Sequence, residues 1–146
     1  MIMYLIPIII LILDWASKDL MLSSLIPHEP FVVTPFFNLY LTFNKGVSFS
    51  MFNTSNVWLL VGISCAICIG VLYIFHKEKN KLSQFALMLI FGGAVGNIID
   101  RLRYHVVIDF LDFHLGDYHW PAFNLADSAI CIGVVILLWQ TLRRKK

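Results

Sequence analysis

Residues 57–75 read VWLLVGISCAICIGVLYIF, an apolar run between Asn56 and the basic stretch that opens at His76 and Lys77. Its length is near the roughly 20 apolar residues a helix needs to cross a bilayer. Three comparable runs occupy about residues 1–22, 82–99 and 126–142. The 146-residue chain is 59% hydrophobic and 14% charged, whereas a soluble domain averages about 45–50% apolar and about 25% charged. The pattern predicts a mainly α, polytopic membrane protein. It would be a single membrane domain over residues 1–146, with four transmembrane helices at those positions.

The first run superficially resembles a signal peptide. It lacks a basic start and a small-residue cleavage site, so it is read as a retained span. Net charge is +2, too small to suggest a nucleic-acid partner. Its placement says more. Lys77, Lys79 and Lys81 share one loop, and Arg143, Arg144, Lys145 and Lys146 end the chain. By the positive-inside rule both places face the cytoplasm. A solubilising or lipid-binding tail would have the same orientation. Both termini are then cytoplasmic, and residues 23–56 and 100–125 lie on the outer, periplasmic face. Eight of the nine acidic residues, all but Glu78, fall on or near that face.

The first outer segment has strand periodicity. Phe37, Leu39, Leu41 and Phe43 alternate with Asn38, Tyr40 and Thr42, a period of two. Asn44-Lys45-Gly46 is a turn signal, and Val47, Phe49 and Met51 alternate with Ser48 and Ser50. Val106, Val107 and Ile108 are strand-prone, and Tyr118 and Trp120 suit a membrane interface. A small amphipathic β-sheet with loops on the outer face is expected.

The chemistry is expected among the outer acids. Asp109 follows three β-branched residues, a poor place for an acid that is neither satisfied nor used. Asp127 lies three residues after Asn124, a plausible N-cap, so it is either a helix-starting charge or a catalyst. A carboxylate at the hydrocarbon edge is costly and marks a functional site. Two close together would share one proton, so that one activates water while the other protonates a carbonyl. Asp112 and Asp117 read as solvated acids.

Asn97, Asp100 and Arg101 share one helical face. Asn97 could offer an amide to a substrate backbone, and Asp100 reads as structural. Arg101 either pairs with Asp100 or binds a carbonyl or phosphate. Gly92 and Gly96 form a G-x-x-x-G close-approach motif. Asp14 and Lys18, four apart, read as a packing pair. Asn44 is either a turn residue or a substrate-binding amide, with the turn favoured by spacing.

His105, His114 and His119 fit no familiar metal spacing, and no G-x-S-x-G marks a serine nucleophile. Cys65 and Cys68 have C-x-x-C spacing, but these two and Cys131 sit in apolar runs, where free cysteine is an ordinary buried residue. The rival readings are a small proton- or ion-relay transporter subunit, which would place acids near the midplane, and a structural assembly subunit with Asp127 as a mere cap.

Asp14 with Lys18, Asn44-Lys-Gly46 with Phe49, Gly96-Asn97-x-x-Asp100-Arg101, Val106-Val-Ile-Asp109-Phe110 and Pro121-Ala-Phe-Asn124-Leu-Ala-Asp127-Ser128 occur in this order. The chain thereby resembles bacterial lipoprotein signal peptidase (signal peptidase II) over essentially its whole length. The resemblance implies an inner-membrane aspartyl protease that cuts a prolipoprotein just before its diacylglyceryl-modified cysteine. It implies Asp109 and Asp127 as the catalytic dyad. Asn44, Asn97, Arg101 and Asn124 would line the substrate site, with Asp14, Lys18 and Asp100 in support. No cofactor or metal is expected. The expected partners are the lipid-modified precursor, membrane lipid and the inhibitor globomycin, the last lying across the dyad; the protein is expected as a monomer. Two departures stand out. Val47-Ser48 replaces the frequent Ala-Ala, and His105 stands where many members have Gly.

Overall fold

The computed structural model describes residues 2–46 and 56–144. In chain order, helix α1 covers Leu5–Ser24 after a short 3-10 turn, strand β1 Pro30–Thr34 and strand β2 Phe37–Asn44. Helix α2 covers Val57–Lys77 and helix α3 Lys81–Tyr104. Strand β3 follows at Val107–Leu115, β4 at Tyr118–His119 and helix α4 at Leu125–Arg144. All four strands thus fall in two connections, α1 to α2 and α3 to α4. The α2–α3 link is only Glu78, Lys79 and Asn80.

Asparagines start three of the helices. The side-chain oxygens of Asn56, Asn80 and Asn124 accept from the amides of Leu59, Ser83 and Asp127 at 3.2, 3.0 and 2.8 Å. Each satisfies one donor that a helix start leaves open. Asn124 is therefore the cap that the spacing predicts.

α3 is the central helix and packs against α1, α2 and α4. Of its apolar window 67% is buried, against 17% for α2 and for α4, so it forms the interior while those two present most of their surface outward. Glycines allow the approach. A methyl group at Gly92 would lie 2.8 Å from Pro7 Cα, and one at Gly96 2.9 Å from the Asp14 carboxylate. The G-x-x-x-G motif therefore seats α1. Gly93 does the same for α4, where a methyl would meet the Ala126 carbonyl at 2.3 Å.

Among the described residues, α2, α3 and α4 are long and apolar enough to cross a membrane. α1 is as long but carries Asp14, Lys18 and Asp19. The first two are each 2% exposed, while Ile8, Ile9, Ile12 and Leu13 point outward. Its charge is thus largely internal. α3 runs five residues past Ile99, so Asp100 and Arg101 are helical, as their spacing with Asn97 predicts. The extension is possible because both side chains turn inward to partners.

The sheet is antiparallel in the order β1-β2-β3-β4. Leu39 pairs with Leu111 and Thr42 with Asp109, with a bulge between. The β2 alternation predicted from sequence is present, and β2 pairs with β1 and β3. The predicted continuation through Val47, Ser48, Phe49, Ser50 and Met51 lies outside the described residues. Gly116, at φ +59°, makes the tight turn that folds β4 back onto β3.

Candidate active site

Two clusters of acids meet where α1, α3, α4 and β3 converge. In the first, Lys18 Nζ lies 2.7 Å from Asp14 Oδ2 and 2.8 Å from Asp100 Oδ2. Asp14 Oδ1 accepts from the Ala126 amide of α4 at 2.9 Å, and Asp100 Oδ2 accepts from the Ile108 amide of β3 at 3.2 Å. One buried ammonium therefore ties all four elements together. The Asp14–Lys18 pair is the one the spacing predicts. The Lys18–Asp100 contact is not legible from spacing, because it depends on how closely α1 packs on α3. Asp100 is paired with this lysine and not with Arg101.

The second cluster holds Asp109 and Asp127. Phe123 and Leu111 exchange backbone hydrogen bonds of 2.8 and 3.1 Å, which sets the start of α4 alongside β3. Asn124, 0% exposed, then donates from Nδ2 to Asp109 Oδ1 at 2.8 Å. Asn44 Nδ2 donates to Asp109 Oδ2 at 3.0 Å. Asn97 Nδ2 donates to Asp127 Oδ1 at 2.7 Å. Asn124 Nδ2 also reaches Asn97 Oδ1 at 3.2 Å, so the amides link the two carboxylates. Asn44 fills the turn role that the spacing favours: its Oδ1 accepts from the Gly46 amide at 2.9 Å and closes the turn.

The two acids differ in access. Asp109 is 1% exposed. Asp127 is half-buried and lines two cavities, and its Oδ1 accepts from Asn97. Burial, and then the charge of Asp127, push the Asp109 carboxyl up to about 7. The Asn44 and Asn124 amides pull the other way by favouring the charged form.

The first cavity, about 210 Å³, runs between α2, α3 and α4 and is lined by Leu60, Ile63, Ile67 and Ala94, with Asn97 and Asp127 at its polar end. Arg101 and Asn44 also line it. The Arg101 guanidinium donates to the protein's own carbonyls, of Gly46 at 3.0 Å and Asn97 at 3.3 Å. Asn124 is wholly buried; it holds Asp109 and caps α4. The second cavity, about 240 Å³, shares Asn44 and Asp127 with the first and adds Phe123, Ser128 and Cys131.

The reading of Asp112 as a solvated acid is corrected. It is 4% exposed and accepts from Asn38 at 3.1 Å and from His119 Nδ1 at 2.9 Å. The β3–β4 hairpin is what covers it. Among the described residues, no three His, Cys, Asp or Glu side chains are grouped to hold a metal. Cys65 and Cys131 are exposed, which corrects their reading as buried; Cys68 is buried.

A family model described as signal peptidase (SPase) II matches residues 6–143. The chain belongs to the signal peptidase II family. Lipoprotein signal peptidases of Janthinobacterium sp. (strain Marseille) and Ralstonia nicotianae are 45% and 44% identical over 142 and 141 residues. These alignments cover 93% and 94% of this chain and 85% and 82% of those proteins. A bacterial membrane enzyme solved in meso at 2.3 Å superposes with a TM-score of 0.91 at 31% identity, over 99% of this chain and 89% of that one. The signal peptidase II assignment makes the chain a peptidase, and the transporter reading has no support. It also gives the His105 departure a physical setting: His105 caps α3 at φ 60°, the left-handed region that favours glycine. Val47 and Ser48 lie outside the described residues.

Proposed function

We propose that this signal peptidase II removes the signal peptide from diacylglyceryl-modified prolipoproteins by aspartyl chemistry at Asp109 and Asp127. The carrying observation is the amide-linked carboxylate pair at the polar end of an apolar cavity. Asp127, half-buried and with access to both cavities, takes a proton from water as the water oxygen attacks the scissile carbonyl. Asp109, protonated near neutrality, gives its proton to the carbonyl oxygen. Collapse of the tetrahedral intermediate returns the Asp127 proton to the leaving nitrogen and the hydroxyl proton to Asp109. Asn44, Asn97 and Arg101 bind the extended substrate backbone, whose exposed groups need polar partners in an apolar groove. Asn124 serves the substrate site by fixing Asp109.

The apolar signal segment enters between α2, α3 and α4, and the cut falls before the lipid-modified cysteine. All four helices cross the bilayer. α1 qualifies because Asp14 and Lys18 neutralise one another inside the protein. Lys77 and Arg143 sit at the end opposite the strands, so the sheet and the dyad face outward and both termini face the cytoplasm. The location is the bacterial inner membrane, the working unit a monomer, and globomycin-type inhibitors lie across the dyad.

Purified protein and a lipid-modified precursor, followed by gel shift, test the reaction. Asp109→Asn and Asp127→Asn are each expected to stop cleavage while the protein stays folded. Full cleavage by either variant would remove the dyad, and unchanged cutting of an unmodified precursor would remove the lipid requirement.

A further inference from the structure

A third cavity, about 530 Å³, lies wholly on the sheet side and receives no residue from α1 to α4. Tyr40, Thr42, Asp112, His119, Trp120 and Pro121 line it. Its volume falls within the roughly 300–1,000 Å³ of ligand-binding pockets. The three cavities form a path. The apolar one and the second meet at Asn44 and Asp127, and the second and third share Trp120, Pro121 and Ala122. A chain with its apolar segment in the first and its scissile bond at Asp127 therefore continues through the second into the third.

The floor of that third cavity is a built polar site. Asp112 is buried, and both its oxygens lie 2.9 Å from His119 Nδ1. The contact engages Nδ1 of the ring and leaves Nε2 on its other side. The His114 ring stacks on His119 with centroids 4.8 Å apart and planes 16° from parallel, which fixes the imidazole orientation. His119 is itself about half exposed, so it can meet a ligand.

We propose that this cavity is a binding subsite for the polypeptide that follows the lipid-modified cysteine. His119, oriented by Asp112 and His114, makes a hydrogen bond there to the substrate backbone. The inference rests on the signal peptidase II reaction assigned above. It adds that the enzyme holds the water-soluble side of its substrate as well as the membrane side.

Two lipid-modified precursors test it, one ending at the modified cysteine and the other continuing through a polar segment. His119→Ala and His119→Phe, the latter keeping a ring to stack on His114, are assayed against wild type. For the long precursor both variants should raise KM about threefold to tenfold, the loss of one net hydrogen bond, with kcat held. The short precursor does not reach the cavity and should show no such rise. Equal effects on both precursors, or an effect of His119→Ala that His119→Phe does not share, would make His119 a packing residue and overturn the subsite. Wild type that cuts neither precursor would overturn the reaction itself, a separate result.

Discussion

The protein places two carboxylate pairs side by side and treats them oppositely. Asp14 and Asp100 share one buried ammonium, that of Lys18. Asp109 and Asp127 have no ion pair among the described residues: their carboxylates accept from the neutral side-chain amides of Asn44, Asn97 and Asn124, and Lys18 acts on them only at longer range. Arg101 lines the same cavity as Asp127, yet it donates to backbone carbonyls. Two carboxylates that share one buried ammonium tie their elements together and hold structure. Amide donors orient Asp109, but burial and the charge of Asp127 outweigh their pull and push its carboxyl up to about 7. Within one polar cluster, the type of partner separates support from chemistry.

The sharpest way to break this contrast is to neutralise one acid of each pair. Asp109→Asn or Asp127→Asn should lower kcat/KM by about 10²–10⁴-fold or more, the range for loss of general acid–base catalysis, with little change in thermal unfolding. Asp100→Asn should do the reverse in kind, lowering the unfolding temperature first and activity only as the fold loosens. Activity loss from Asp100→Asn in a protein of unchanged stability would place Asp100 in the chemistry and dissolve the distinction.

Removing the ammonium probes the structural pair directly. Lys18→Ala leaves two buried carboxylates without a cation, and breaking a buried ion pair costs about 3–5 kcal/mol. Denaturation in detergent should report a loss of that order, because Lys18 joins α1 to the elements that carry Asp100 and, through Asp14, Ala126. A loss below about 1 kcal/mol, the scale of an exposed pair, would mean that water reaches the cluster.

A smaller perturbation acts on the dyad's proton. At a pH below about 7 Asp109 holds its proton and can serve as the acid; above that it ionises, so cleavage should fall on the alkaline side. Asn44 favours the ionised form through its 3.0 Å hydrogen bond. Asn44→Ala should therefore move the alkaline limb of the pH–rate profile upward. A limb that stays in place or moves down would show that Asp109 is not the group titrating there.

The contrast between the pairs was only half legible in the sequence. Asp109 and Asp127 stand out because their neighbours are apolar, and the Asp14–Lys18 spacing is a local helical signal. Lys18–Asp100 joins residues far apart in the chain and exists because Gly92 and Gly96 let α1 close on α3. No local pattern encodes that. α2, α3 and α4 were readable as long apolar runs, and β2 by its alternation. β1 was not, because Phe31, Val32 and Val33 are consecutive, exposed and without a period. Asp112 was misread for a related reason: its cover comes from β4, which has only two residues and leaves no periodic trace.

The mildest test leaves both pairs intact and alters the backbone between them. His105 joins the end of α3, which carries Asp100, to the strand that carries Asp109, and it does so at φ 60°. A non-glycine residue in that region pays roughly 1–2 kcal/mol for its Cβ. Glycine relieves the clash, although it widens the unfolded ensemble by an offsetting amount. His105→Gly should thus stabilise the protein by about 1 kcal/mol or less, with KM and kcat unchanged, since the histidine is exposed. If His105→Gly instead lowered kcat at equal stability, the stiffness of this joint, and not only the partners of the acids, would be setting the geometry of the dyad.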